Sequence, residues 1–175
     1  MKKLLLSVLI IVASGITASS QTGGNLQKLS IGVDYAIPFG TRSTYFGVGG
    51  SFQYEYPVAK SLSLTATAGY LSMITTGGQK KNLESLGLRT SSGVIPAKLG
   101  AKYYFGRHFY TTAEAGIAYF TGSETAQFTY APGVGLSLPI KGKSSLDFGV
   151  RFDTWTSKPS TSNFLGLRAA YSFGW

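Results

Sequence analysis

The sequence predicts an all-β protein, an eight-stranded antiparallel up-and-down transmembrane β-barrel behind a cleavable signal peptide. Three observations predict it. A two-residue apolar period runs with few breaks from Leu29 to Trp175, the mark of strands whose two faces meet different surroundings. The apolar rows carry no charge and end in Tyr, Phe or Trp, while the opposite rows hold Gly, Ala, Ser, Thr and the charged residues. Charged residues make up only 13% of the chain, against 23 glycines and 14% aromatics, whereas a soluble domain is about a quarter charged.

Residues 1–20 read as a secretory signal. Lys2 and Lys3 are its basic start, Leu4 to Ala13 its apolar stretch, and Ala18-Ser19-Ser20 supply small residues for cleavage before Gln21. About ten apolar residues are too few to cross a membrane as a helix, and no later segment has the ~18 that crossing needs. Residues 21–175 then form one barrel domain, since a membrane-embedded chain without such helices must close its backbone hydrogen bonds in a barrel. The formal charge is +9, and removing Lys2 and Lys3 leaves +7. That charge is scattered, not clustered, which argues against nucleic acid. With no cysteine and a single histidine, neither a disulfide framework nor a metal site or cofactor is expected.

The first strand sets Leu29, Ile31, Val33, Tyr35 and Ile37 against Ser30, Gly32, Asp34 and Ala36, and Phe39 to Thr44 connects it onward. The second sets Phe46, Val48, Phe52, Tyr54 and Tyr56 against Gly47, Gly49, Ser51, Gln53 and Glu55, and turns at Pro57 to Ser61. The third sets Leu62, Leu64, Ala66, Ala68 and Tyr70 against Ser63, Thr65, Thr67 and Gly69. Thr75 to Ser92 is the largest loop. The fourth sets Ala97, Leu99, Ala101, Tyr103 and Phe105 against Lys98, Gly100, Lys102 and Tyr104, and turns at Gly106 to His108. The fifth sets Phe109, Ala113, Ala115, Ile117 and Tyr119 against Thr112, Glu114, Gly116 and Ala118, with a connection at Thr121 to Gln127. The sixth sets Phe128, Tyr130, Val134, Leu136 and Leu138 against Thr129, Ala131, Gly133, Gly135 and Ser137, and turns at Lys141 to Ser144. The seventh sets Leu146, Phe148, Val150 and Phe152 against Asp147, Gly149, Arg151 and Asp153. A loop over Ser157 to Asn163 leads to the last strand, with Leu165, Leu167, Ala169, Tyr171, Phe173 and Trp175 against Gly166, Arg168, Ala170, Ser172 and Gly174. The even count suits a single-chain bacterial barrel, with short turns and both termini on the periplasmic rim.

A soluble barrel would turn the apolar rows inward. The glycine-rich polar rows argue otherwise. Glycine weakens a solvent-facing strand, but the narrow interior of an eight-stranded barrel has room for few large side chains. Tyr35, Tyr54, Tyr56, Tyr70, Tyr103, Phe105, Phe109, Tyr119, Tyr171, Phe173 and Trp175 would supply the two aromatic girdles.

From about Leu26 to Trp175 the pattern resembles the small OmpA/OmpX-like outer-membrane barrels of Gram-negative bacteria. The resemblance implies a bacterial outer-membrane location, lipid and lipopolysaccharide as neighbours, and a terminal aromatic strand read by the barrel-assembly machinery. Tyr171, Phe173 and Trp175 stand where that signal would be. The peptidoglycan-binding domain that some members of that family add is not expected here, so the resemblance does not imply tethering to the cell wall.

Five of the seven acids, Asp34, Glu55, Glu114, Asp147 and Asp153, share the inner rows with Lys98, Lys102, Arg151 and Arg168. Unpaired charges in a low-dielectric lumen are costly, so they are expected to pair across strands into a plug that specifies closure. A polar channel or proton path is the alternative. Asp147, Arg151 and Asp153 imitate an acid pair with a clamp, but no cleft accompanies them. His108, in a short turn on the periplasmic rim, has no carboxylate partner in that turn, so an enzyme is not expected. Gly142-Lys143-Ser144 lacks both the leading glycine and the following helix of a phosphate-binding loop. In the long loop, Lys80, Lys81 and Arg89 beside Leu83, Leu86 and Leu88 make a candidate contact for lipopolysaccharide or another surface ligand. The function expected is therefore a non-enzymatic envelope barrel. A small pore and a lipid-modifying enzyme that needs His108 remain open.

Overall fold

In the computed structural model, residues 26–39, 45–75, 91–140, 142–157 and 160–175 are described. The signal segment 1–20 and the loop residues Lys80, Lys81 and Arg89 lie outside them. Eight strands follow in order: β1 (Lys28–Pro38), β2 (Tyr45–Ala59), β3 (Leu62–Thr75), β4 (Ser91–Phe105), β5 (Phe109–Phe120), β6 (Thr125–Pro139), β7 (Ser145–Ser157) and β8 (Ser160–Gly174). Each pairs antiparallel with its neighbour in sequence, and β1 closes the barrel on β8 from Lys28↔Gly174 to Pro38↔Phe164. Closure leaves no strand edge unpaired.

Local chemistry shows in the ladder. Pro96 and Pro132 have no N–H to donate, and the register is interrupted beside each of them, at 95–96 on β4 and at 131–132 on β6. Gly106 and Gly142 take φ of 65° and 69° in their turns, a region that glycine enters without a Cβ clash.

The two faces sort as their side chains require. Leu29, Ile31, Val33, Leu99, Ile117, Phe128, Val134 and Phe173 are among the exposed residues on the outside, while Ser30, Asp34, Glu55, Lys98, Lys102, Glu114, Asp147 and Ser172 are buried inside. This inverts a soluble protein, whose exposed apolar patches rarely exceed a few hundred Å².

The strands run further than the expected loops allowed. Thr125 to Gln127 belongs to β6, and Ser160 to Asn163 to β8. Their residues continue the ladder, Phe120↔Thr125 and Ser157↔Ser160, so the β5–β6 and β7–β8 connections are as tight as the turns at the other rim. Only 39–44 and 76–90 are longer.

Candidate functional site: a two-layered lumen

Alternation aims the inner rows at one another across a space a few side chains wide, and the charged residues fill it in two groups. Nearer the short turns, Lys102 on β4 lies 3.2 Å from Glu55 Oε2 of β2 and 3.2 Å from Asp147 Oδ2 of β7. Tyr104 donates to Glu55 Oε1 at 2.7 Å and accepts from Lys28 at 3.3 Å. Ser172 and Ser145 donate to Asp147 at 2.7 and 3.3 Å. The Lys102 ammonium also stands 4.0 Å from the centroid of the Tyr110 ring, within cation–π range. Gly135 makes room for that ring. A Cβ there would fall 2.3 Å from Tyr110 Cζ, which explains a glycine in the middle of β6.

The second group lies four residues further along β4 and four to six further along β7. Lys98 meets Asp153 at 2.9 Å and Glu114 at 3.5 Å. Glu114 also accepts from Thr67 at 2.6 Å and from Gln53 at 3.0 Å. Arg151 donates to Asp153 at 2.8 Å and to Asp34 at 2.7 Å.

Arg168 departs from the expected network, since it forms no ion pair among the described residues. It sits directly opposite Asp34 in the β1–β8 register, but Arg151 of β7 has taken that carboxylate by reaching over Gly166 of β8. Arg168 Nε donates instead to Ser51 at 3.0 Å, and its Nη2 has no protein partner. A cavity of about 30 Å³ lies between Arg168, Thr112, Gln53 and Lys102, enough for one or two water molecules. Lys28, absent from the expected set, supplies the fifth buried cation. Lys28, Lys98, Lys102, Arg151 and Arg168 thus face Asp34, Glu55, Glu114, Asp147 and Asp153, and the lumen balances to zero.

Beyond the charges, toward the end where 76–90 connects β3 to β4, the lumen turns apolar. Ala36, Leu71, Met73, Val94, Ala118, Trp155 and Phe164 form one buried cluster with Phe120 against it. The Trp155 ring lies 4.3 Å from Phe164, tilted by 42°, and meets Phe120 edge-on at 5.4 Å. Sequence reasoning missed this layer, although the signal was present. Continuing the inner row 147, 149, 151, 153 by two places reaches Trp155, and counting back from Gly166 reaches Phe164.

The other singled-out residues lie apart. Tyr171, Phe173 and Trp175 point outward at 39%, 46% and 53% exposure, with Tyr171 4.6 Å from Phe173 and Trp175 stacked 6.3 Å from Tyr54. His108 sits in the β4–β5 turn, its carbonyl accepting from Ser137 N at 2.6 Å.

No protein-family model and no curated protein matches the sequence. Solved structures do. The outer membrane protein Ail of Yersinia pestis in a phospholipid nanodisc superposes with a TM-score of 0.56 at 12% identity, over 84% of this chain and 99% of that one. The crystal structure of the same attachment invasion locus protein gives 0.54 at 10%, over 85% and 98%. The chain has the fold of a small outer-membrane β-barrel. For an outer-membrane barrel the inside-out burial follows directly: acyl chains solvate the leucines and phenylalanines, and the ion pairs satisfy one another within.

Proposed function

We propose that the protein is a closed, non-enzymatic barrel of the bacterial outer membrane. Its termini face the periplasm, and it serves envelope integrity or surface contact. One observation carries the reading. The lumen is filled along its length, first by a charge-balanced ion-pair layer and then by the Trp155–Phe164 seal. A filled lumen favours a plug over a pore. Purified protein in planar bilayers is expected to show no steady conductance, and stable openings on the nanosiemens scale would reverse the reading.

Surface contact belongs to the 76–90 connection. Lys80, Lys81 and Arg89 offer charge for lipopolysaccharide phosphates, and Leu83, Leu86 and Leu88 an apolar footing. Deleting 77–89 is expected to leave the barrel folded and to weaken lipopolysaccharide binding. Binding that survives the deletion unchanged removes the loop from the proposal. Tyr171, Phe173 and Trp175 serve export as the strand read by the barrel-assembly machinery.

A further inference from the structure

The lumen is neutral, so the surplus charge of the barrel lies at its rims. On the rim of short turns, Lys60, Arg107 and Lys143 are all exposed. No turn there contains an acidic residue (Pro57–Ser61, Gly106–His108, Ile140–Ser144), and none of these three cations forms an ion pair among the described residues. Each of the first two turns is tied to the strand beside it, Tyr104 N of β4 donating to Ser61 O at 2.7 Å and Ser137 N of β6 to His108 O at 2.6 Å. The cations therefore crown one continuous rim.

An apolar groove of about 670 Å³ starts at that crown on the outer wall, within the size range of lipid- and drug-binding pockets. Its near end lies at Phe105 and Phe109, whose rings stack 6.0 Å apart on either side of the turn bearing Arg107. From there it crosses the tilted strands past Leu136, Phe148 and Ala169 to Tyr35 on β1. Ala169 is the small residue in an outer row of larger ones, and it keeps the trough open.

We propose that rim and groove together hold one anionic phospholipid, with its phosphate at Arg107 and an acyl chain in the trough below. Lys60 and Lys143 enrich the same headgroups around it. Charge complementarity selects the occupant. A cationic edge whose turns hold no acidic side chain favours a net-negative headgroup over a zwitterionic one, and an acyl chain matches a groove with almost no polar lining. The site presupposes an embedded barrel and lies at the opposite rim from the proposed lipopolysaccharide contact.

The test reconstitutes the full barrel in phosphatidylcholine vesicles containing one-fifth phosphatidylglycerol, extracts it gently and counts retained lipid by native mass spectrometry. Gel mobility of the folded form confirms that each variant is embedded. The parent is expected to retain phosphatidylglycerol selectively. Arg107→Gln should lower that retention about fivefold, as expected for one basic side chain near an anionic surface. Ala169→Phe, which fills the trough and spares the charges, should lower it as well. Equal retention of both lipids, or parental retention in either variant, overturns the site. So does retention that falls on deleting 77–89 but not on Arg107→Gln. Failure of the barrel to insert even in phosphatidylcholine would instead sink the membrane reading itself.

Discussion

Lys102 carries more of the lumen than any other side chain described. Two carboxylates and two tyrosine rings, Tyr110 and the Lys28-bonded Tyr104, converge on it. A buried ion pair adds little over a well-packed apolar pair, because desolvation offsets the attraction, but removing one partner strands the other. Lys102→Met should therefore cost about 3–5 kcal/mol, read from urea unfolding in lipid vesicles. The double variant Lys102→Met/Asp147→Asn leaves Lys28 and Glu55 as a neutral remainder and should recover most of that loss. A single variant as stable as the parent, or a double variant no better than the single, would mean that these charges do not act as a set. Arg168 shows the limit of reading pairs from adjacency, because the nearest carboxylate by register is claimed from the next strand but one, by Arg151 of β7.

Among the elements, β7 and β8 do two jobs along one inner row. Their short-turn halves carry Asp147 and Ser172 into the ionic layer, and their far halves carry Trp155 and Phe164 into the seal. The change of chemistry along a single strand suits the surroundings. Charges deep in the barrel find partners from several strands, whereas the mouth is closed by bulk. Trp155→Ala removes a ring that touches both Phe164 and Phe120. It should cost about 3–5 kcal/mol, as for other large aromatic truncations, measured by the same unfolding curve. Conductance should stay low, since the ionic layer beneath remains filled. If Trp155→Ala alone opens a steady pore, the ion pairs do not block the path and the seal is the sole gate.

At the scale of the whole molecule, closure by β1 on β8 ties the two ends of the described chain together through eleven paired positions. Such a barrel unfolds as one body or not at all in mild detergent. Unheated protein on a detergent gel should run apart from the boiled chain, and a single position with and without boiling would argue against a closed barrel in the membrane. The strand count, the two faces and the outward aromatics were all legible in the sequence, because alternation is a property of neighbours two residues apart. Strand ends were less so. Thr125 to Gln127 and Ser160 to Asn163 look like loop by composition, yet they are held in the ladder by partners on the adjacent strand.

By itself, then, the sequence determined which side chains face in and which face out, and that the inner ones must satisfy one another. Only the tertiary structure decided who meets whom. Lys102 and Asp147 are 45 residues apart and Asp34 and Arg151 are 117 apart. Their contact depends on register and closure accumulated over several strands, which no local period encodes. The same accumulation gathers Leu71, Val94, Trp155 and Phe164 into one seal, and it brings residues of seven strands to the trough below Arg107.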